Sequence, residues 1–153
     1  MFNSSEATPV SVVMSVYNGA RFLDQAIHSI RNQTFGRFEF VIVDDVSTDA
    51  TPEILARHAA ADHRIRVLSQ ENQGLIKSLH RGFAESKGTY IARMDADDLS
   101  KPERLDMQVK FLAANPGIAL VGGAVEFIDA ESRASETIWL PTEPEALRRD
   151  LRE

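Results

Sequence analysis

Acidic and polar residues of this 153-residue chain cluster in three short segments, and each segment directly follows an apolar run. The segments are Tyr17-Asn18-Gly19, Asp44-Asp45 with Ser47-Thr48-Asp49, and Asp95-Ala96-Asp97-Asp98. If they meet in space, five carboxylates of the two aspartate runs share one rim and repel one another. Hard divalent cations bind carboxylate oxygens and commonly bridge them to phosphates. The pattern therefore predicts a Mg²⁺ or Mn²⁺ site for a diphosphate.

Structural roles are the alternative for the same residues. Aspartates that follow strands often form Asx-turns or cap the N-terminus of a helix. Asp98 either caps a helix that begins near Pro102, or braces its loop, or binds metal; Asp44 is favoured as a strand-end or supporting residue. Tyr17 either packs in the core or stacks on a nucleotide base. These alternatives stay open at this point.

The elements that must position the three segments alternate between strands and helices. Apolar, β-rich runs predict strands over 10–16, 38–43, 65–68 and 90–94. Helical spacing predicts helices over 22–32, 51–61, 75–84 and 102–114. This alternation is typical of an α/β fold with a mainly parallel sheet and helices on both faces. Ligands of such folds bind beyond the carboxyl ends of the strands, where all three segments lie.

The alternation of strands and helices ends after residue 117. Strands are expected over 118–121 and 125–128, and 137–140 is expected to pair with the second of these. Thr142 and Glu145 have the spacing of a capping box, which predicts a last helix that still runs at Glu153. Residues 1–9 are polar and are expected to form a disordered leader. Residues 10–153 are expected to form one domain.

Composition narrows the functional classes. The chain has 17 Lys and Arg against 23 Asp and Glu, for a formal charge of -6, which argues against nucleic-acid binding. The absence of cysteine excludes a disulfide framework and a thiolate nucleophile, and it fits a cytoplasmic location. No apolar stretch reaches the roughly 18 residues of a membrane span.

Several enzyme classes lack their signature motifs in this sequence. It contains no GxGxxG, no GxxxxGK(S/T) and no GxSxG, which excludes a dinucleotide dehydrogenase, a P-loop NTPase and an α/β-hydrolase. The four histidines lack the HExxH spacing of a zinc site. They are expected to lie on the surface or to pack between helices.

A series of ordered motifs resembles the family 2 glycosyltransferases of GT-A fold over residues 10 to about 129. The motifs are Val12–Asn18, Gln33–Phe35, Glu39–Asp45, Ser47–Asp49, and Ile91–Asp98 followed by Pro102–Leu105. The resemblance implies transfer of a sugar from a nucleoside diphosphate sugar, with inversion, by direct attack of an acceptor hydroxyl. It further implies a UDP-sugar donor, Mn²⁺ or Mg²⁺ as cofactor, a saccharide or lipid-linked acceptor, and a role in cell-surface polysaccharide synthesis. Peripheral association of the full-length protein with the inner face of the membrane fits this role.

The resemblance also assigns residues. Asp95 and Asp97 would form the DxD motif, with Asp97 as the first metal ligand and Asp95 holding the ribose or the ion through water. The residues expected to bind the nucleotide sugar are Ser15, Tyr17, Asn18, Asp45, Asn72, Gly74, Lys77 and Asp95. Among these, Asp45 would contact the base or the ribose, and Lys77 would add positive charge near the diphosphate.

The chain departs from the family pattern at several points. Val46 stands where many relatives have glycine, so a turn that favours positive φ is expected to be strained or reshaped. Ser15 replaces a common proline, and His80 a frequent asparagine. The general base is expected from an acceptor-binding half beyond Glu153, which makes this chain the donor-binding portion.

Three other functions compete with this interpretation: an inactive sugar-nucleotide binder, a sugar-phosphate nucleotidyltransferase and a receiver-like Mg²⁺-binding signalling domain. The segment 17–21 has one glycine, whereas a nucleotidyltransferase needs a glycine-rich first loop. A receiver domain would carry its acidic pair after the first strand, and here the pair follows the second.

Overall fold

Residues 9–129 and 133–139 are described by a computed structural model of the chain. They divide into two units after Phe111, within the helix Arg104–Ala114, and this helix is described with the first unit. The predicted leader, apart from Pro9, and the predicted last helix after Thr142 lie outside the described residues.

The first unit alternates strands and helices as predicted. Its elements are β1 (Val10–Val16), α1 (Leu23–Arg31), β2 (Phe38–Asp44), α2 (Thr51–Ala61), β3 (Ile65–Ser69), α3 (Leu75–Ala84), β4 (Tyr90–Asp95) and α4 (Arg104–Ala114). The four strands form one parallel sheet in the order β3-β2-β1-β4, which confirms the predicted α/β architecture. Within the described part of the chain, no helix combines the length and the apolar character needed to cross a membrane.

Both faces of the sheet are covered because β1 and β2 are apolar on both sides. Val12, Met14 and Val16 of β1 point into a core that they share with α1, α2 and α4. Val13 points to the other face, where α3 packs through Gly82. A Cβ atom at Gly82 would lie 2.4 Å from Cγ1 of Val13, so only glycine allows this close approach.

The strand register brings the carboxyl ends of three strands to one edge of the sheet. Val16 of β1 is paired with Asp44 of β2, and Ser15 of β1 with Asp95 of β4. Since the strands are parallel, the loops that follow β1, β2 and β4 all leave from this edge. The three polar segments found in the sequence therefore share one edge of the sheet.

The second unit contains an antiparallel pair of strands, β5 (Val125–Ile128) and β6 (Ala134–Ile138). The predicted pairing of 125–128 is confirmed, although its partner begins at 134 rather than 137. The strand predicted over 118–121 is wrong, since 125–128 and 134–138 are the paired segments in the described part of this unit. Leu120 is 84% exposed, and the N–H of Ile118 donates to the carbonyl of Asn115 in a turn. The apolar run at 118–121 therefore has neither a buried face nor a ladder to favour a strand.

Candidate functional site

The loop after β1 is held by the loop after β2. Three consecutive backbone N–H groups, those of Asn18, Gly19 and Ala20, donate to Ser47 Oγ, Thr51 Oγ1 and Asp49 Oδ2 over 2.9, 3.0 and 3.1 Å. In return, Oδ1 of Asn18 accepts the N–H of Thr48 at 2.8 Å. N–H groups before a helix lack partners within it, so the side chains of residues 47–51 supply the missing acceptors. The two loops thus brace each other.

Asp45 connects the same edge to the start of α3. Its Oδ1 accepts the N–H of Gln73 and a hydrogen bond from Gln70 Nε2, at 2.9 and 2.7 Å, and its Oδ2 accepts the N–H of Gly74 at 2.8 Å. The residue is 2% exposed. Burial raises the pKa of the Asp45 carboxyl, and the hydrogen bonds from Gln70, Gln73 and Gly74 more than offset this, so the pKa lies below its ordinary value. A contact of Asp45 with a base or ribose stays a prediction.

Val46 has a left-handed backbone, with φ of +58°. The strain expected where relatives have glycine is therefore confirmed, because a β-branched side chain disfavours this region. The turn is held by Asp44, whose Oδ1 accepts the N–H of Ser47 at 3.0 Å. Asp44 is buried, which supports its interpretation as a strand-end residue.

The loop after β4 carries the aspartates of the DxD motif. Nη2 of Arg93 donates to both carboxylate oxygens of Asp95, at 2.7 and 2.8 Å. Asp97 and Asp98 are exposed. Although the residue is exposed, partial burial of its carboxyl group raises the pKa of Asp98, and the negative charges of Asp95 and Asp97 raise it further. Because α4 begins at Arg104, Asp98 is too far from that helix to cap it, so the capping interpretation is wrong.

The acidic loop, residues 95–98 after β4, has side chains suited to bind a metal ion together with a substrate. Within residues 9–129 and 133–139, no group of three or more His, Cys, Asp or Glu side chains is placed to hold an ion. Asp95 and Asp97 offer two hard oxygen ligands, and Mg²⁺ is usually held by one or two carboxylates together with substrate phosphates. The mutual repulsion that raises the pKa of Asp98 is the repulsion that a cation would relieve. The donor set therefore suits a divalent ion that a diphosphate helps to coordinate.

The remaining predicted residues lie in two groups. Ser15 is paired with Asp95 near the end of β1, and Tyr17 and Asn18 lie in the loop that follows this strand. Tyr17 is 55% exposed, which excludes a core role for its ring. The other group surrounds Asp45: Nδ2 of Asn72 donates to the Asp45 carbonyl at 3.4 Å, Gly74 has φ of +82°, and Lys77 is exposed in the first turn of α3.

Three residues of this edge were not singled out from the sequence. Gln70 donates to Asp45 and to Ser78 Oγ, at 2.7 and 2.9 Å, and Arg93 pairs with Asp95. Nη2 of Arg104 donates to the carbonyl of Arg93 at 2.8 Å. A signal existed for Arg93, because residues two apart on a strand share a face. Arg104 reaches β4 from another element, and its contact has no local sequence signal.

Replacing Val46 with glycine is expected to stabilise the protein. A non-glycine residue in the left-handed region costs about 1–3 kcal/mol, and glycine costs about 0.5–1 kcal/mol in chain entropy. Val46→Gly should therefore raise the free energy of unfolding by roughly 1 kcal/mol in urea denaturation. Val46→Ala keeps the Cβ atom and should gain less. A Val46→Gly variant no more stable than Val46→Ala would contradict strain at this turn.

Replacing Asp45 with asparagine is expected to destabilise the protein in a pH-dependent manner. The pKa of Asp45 is lower in the folded state, so its charge stabilises the fold above the unfolded pKa of about 3.9, and this is lost as the pH falls through the folded value. Asp45→Asn should lower the unfolding free energy at pH 7 by about 1–3 kcal/mol, since one amide N–H₂ would face an N–H donor. The difference should shrink below about pH 4.

The matched control for this change is Asp106→Asn. Asp106 forms a partly exposed pair with Lys110 on α4, at 2.7 Å, and its loss should cost less than about 0.5 kcal/mol. Denaturation curves at several pH values provide the measurement. An equal loss in both variants, or a loss at Asp45 that does not depend on pH, would show that the carboxylate does not hold the start of α3.

Comparisons with known proteins agree with this architecture. The model of glycosyl transferase family 2 matches residues 11–152. An uncharacterized glycosyltransferase of Haemophilus influenzae is 39% identical over 120 residues, which cover 78% of this chain and 37% of that protein. The chain thus spans little more than a third of that relative's length.

Solved structures give the same result for the fold. The mannosyltransferase PcManGT of Pyrobaculum calidifontis, in complex with GDP-Man and Mn²⁺, is 27% identical with a TM-score of 0.67, over 82% of this chain and 36% of that one. TarS 1–349 of S. aureus is 26% identical with a TM-score of 0.65, over 71% and 33%. The predicted GT-A fold is confirmed by these similarities. From its sequence motifs, its parallel sheet and these matches, the chain belongs to glycosyl transferase family 2.

Proposed function

We propose that the complete protein transfers a sugar from a nucleoside diphosphate sugar to an acceptor hydroxyl, and that this chain binds the donor. The observation that carries the proposal is the convergence of three polar loops at the carboxyl edge of β1, β2 and β4. It follows from the pairing of Ser15 with Asp95 and of Val16 with Asp44. Ligands of parallel α/β sheets bind at this edge. Membership of glycosyl transferase family 2 supports sugar transfer as the reaction.

The donor is proposed to lie across the three loops. Tyr17 is suited to stack on the base, because it is an aromatic residue that is 55% exposed at this edge of the sheet. Ser15 and Asn18 would line the pocket beside it, with Asn72, Gly74 and Lys77 at its rim. Asp97 and Asp95 would share a Mn²⁺ or Mg²⁺ ion with the diphosphate. The Mn²⁺ in the complex of the Pyrobaculum relative supports a divalent ion.

The proposed reaction is a single displacement with inversion. The acceptor oxygen forms a bond to the anomeric carbon while the bond from that carbon to the diphosphate breaks. The acceptor's proton passes to a general base that we place outside the described residues. A divalent ion held by Asp97 and Asp95 would supply neutralising charge for the departing nucleoside diphosphate. A saccharide or lipid-linked acceptor, met at the inner face of the membrane, is part of the same proposal.

Uridine is the proposed base, and guanine is its main competitor. The uridine preference rests on the family resemblance of the motifs at 12–18, 39–45 and 91–98. Guanine is supported by the Pyrobaculum relative, which is in complex with GDP-Man. Asp45 is the residue expected to take part in this choice, and its carboxylate already has three donors. A direct comparison of nucleotides is therefore part of the test.

Calorimetric binding of UDP, GDP and dTDP, with and without Mn²⁺, tests the proposal. We expect UDP to bind the chain when Mn²⁺ is present, and to bind at least about tenfold more weakly to Asp97→Asn, because one metal ligand is then lost. Asp106→Asn removes the same charge from an aspartate on α4 and should bind as the wild type does. Failure of all three nucleotides to bind, or equal binding by Asp97→Asn, would contradict the proposed donor site.

A further inference from the structure

The guanidinium of Arg93 already contacts Asp95, one of the two carboxylates proposed to bind the metal. Nη2 of Arg93 lies 2.7 and 2.8 Å from the two oxygens of Asp95. Both side chains project from the same face of β4 because they are two residues apart. A divalent ion and the guanidinium would compete for the same oxygens. Binding of the ion to Asp95 therefore requires Arg93 to move.

The position of Arg93 on the backbone is fixed, whereas its side chain is accessible. Its carbonyl accepts a hydrogen bond from Nη2 of Arg104 at 2.8 Å, and Nη1 of Arg104 lies 3.5 Å from Sδ of Met94. The side chains of Arg93 and Asp95 are 53% and 39% exposed. Ion pairs of this exposure are weak, so the guanidinium can be exchanged at low cost. The anchored backbone keeps it close to Asp95 after the exchange.

Three of the carboxylates of this edge differ in how easily each can give up its present partner. Asp45 is buried and accepts two backbone N–H groups, so it cannot be released without moving the start of α3. Asp97 is exposed, and no hydrogen bond or ion pair to its carboxylate occurs in the part of the chain that is described. Asp95 lies between these extremes, since its partner is a single exposed guanidinium. It is the carboxylate at which ligand binding can be controlled.

We propose that Arg93 competes with the metal for Asp95 and moves to the donor's diphosphate when metal and donor bind together. This inference rests on the proposed function. A guanidinium that leaves a carboxylate retains its charge and can pair with another anion, and phosphate oxygens match its geometry. The metal alone would displace Arg93 from Asp95 and give its guanidinium no new partner. The metal together with a diphosphate would replace Arg93 at Asp95 and also offer the guanidinium phosphate oxygens to contact. Mn²⁺ and the nucleotide therefore strengthen each other's binding.

Binding of Mn²⁺, followed by the electron paramagnetic resonance signal of the free ion, tests the inference with and without UDP. Without UDP, Arg93→Gln should bind Mn²⁺ about two- to fivefold more tightly than the wild type, because the competing charge is gone. The increase in Mn²⁺ affinity that UDP causes should be smaller in this variant. Arg93→Lys keeps the charge and should restore behaviour close to the wild type.

Arg57→Gln is the matched control. Arg57 is also an exposed arginine paired with an aspartate, Asp24, but it lies on α2. This variant should bind Mn²⁺ as the wild type does. Unchanged or weaker Mn²⁺ binding by Arg93→Gln, including no binding at all, would overturn the inference.

The outcomes separate this inference from the proposed function. If Asp97→Asn reduces Mn²⁺ binding in the presence of UDP while Arg93→Gln matches Arg57→Gln, the donor site stands and the competition by Arg93 is refuted. If Asp97→Asn leaves Mn²⁺ binding with UDP unchanged, the proposed donor site itself is refuted. Far-UV circular dichroism of each variant confirms that the fold is retained.

Discussion

Backbone N–H groups at the carboxyl edge of the parallel sheet need acceptors, and the loop after β2 supplies most of those seen here. Its side chains accept the N–H groups of residues 18–20 before α1, and Asp45 accepts those of residues 73 and 74 before α3. Because each contact joins residues of different segments, together they fix three loops relative to one another. The proposed site depends on them, because residues from different loops must face one ligand. The left-handed backbone of Val46 is part of the same turn.

The aspartate carboxylates at this edge of the sheet have three different environments. Asp45 is stabilised by hydrogen-bond donors and Asp95 by Arg93, whereas burial and then the charges of Asp95 and Asp97 raise the pKa of Asp98. Asp45 thus holds the start of α3, and in our proposals Asp95 is the carboxylate that exchanges its partner while residues 95–98 bind the cation. The same residue type serves all three purposes because burial and donors, rather than identity, set its properties.

Much of the first unit could be predicted from the sequence, and the reasons are local. Continuous apolar, β-rich runs and helical patterns located every element through α4, and the parallel alternation placed residues 17–19, 44–49 and 95–98 at one edge. Contacts between distant segments could not be predicted, such as Gln70 with Asp45 and Arg104 with the Arg93 carbonyl, because spacing along the chain carries no information about them. The prediction of a strand at 118–121 failed for a different reason. The apolar run matched the strand pattern, but no partner strand pairs with it among the described residues.

The most direct test of the central claim is to locate the bound metal. Paramagnetic broadening of amide NMR signals by Mn²⁺ in the presence of UDP reports which backbone N–H groups lie near the ion. The account predicts loss of signals from residues 95–98 and from the loops at 17–19 and 45–49, while residues 36–38 and 61–64 at the opposite edge of the sheet keep theirs. Broadening centred on that opposite edge, or no selective broadening, would contradict it.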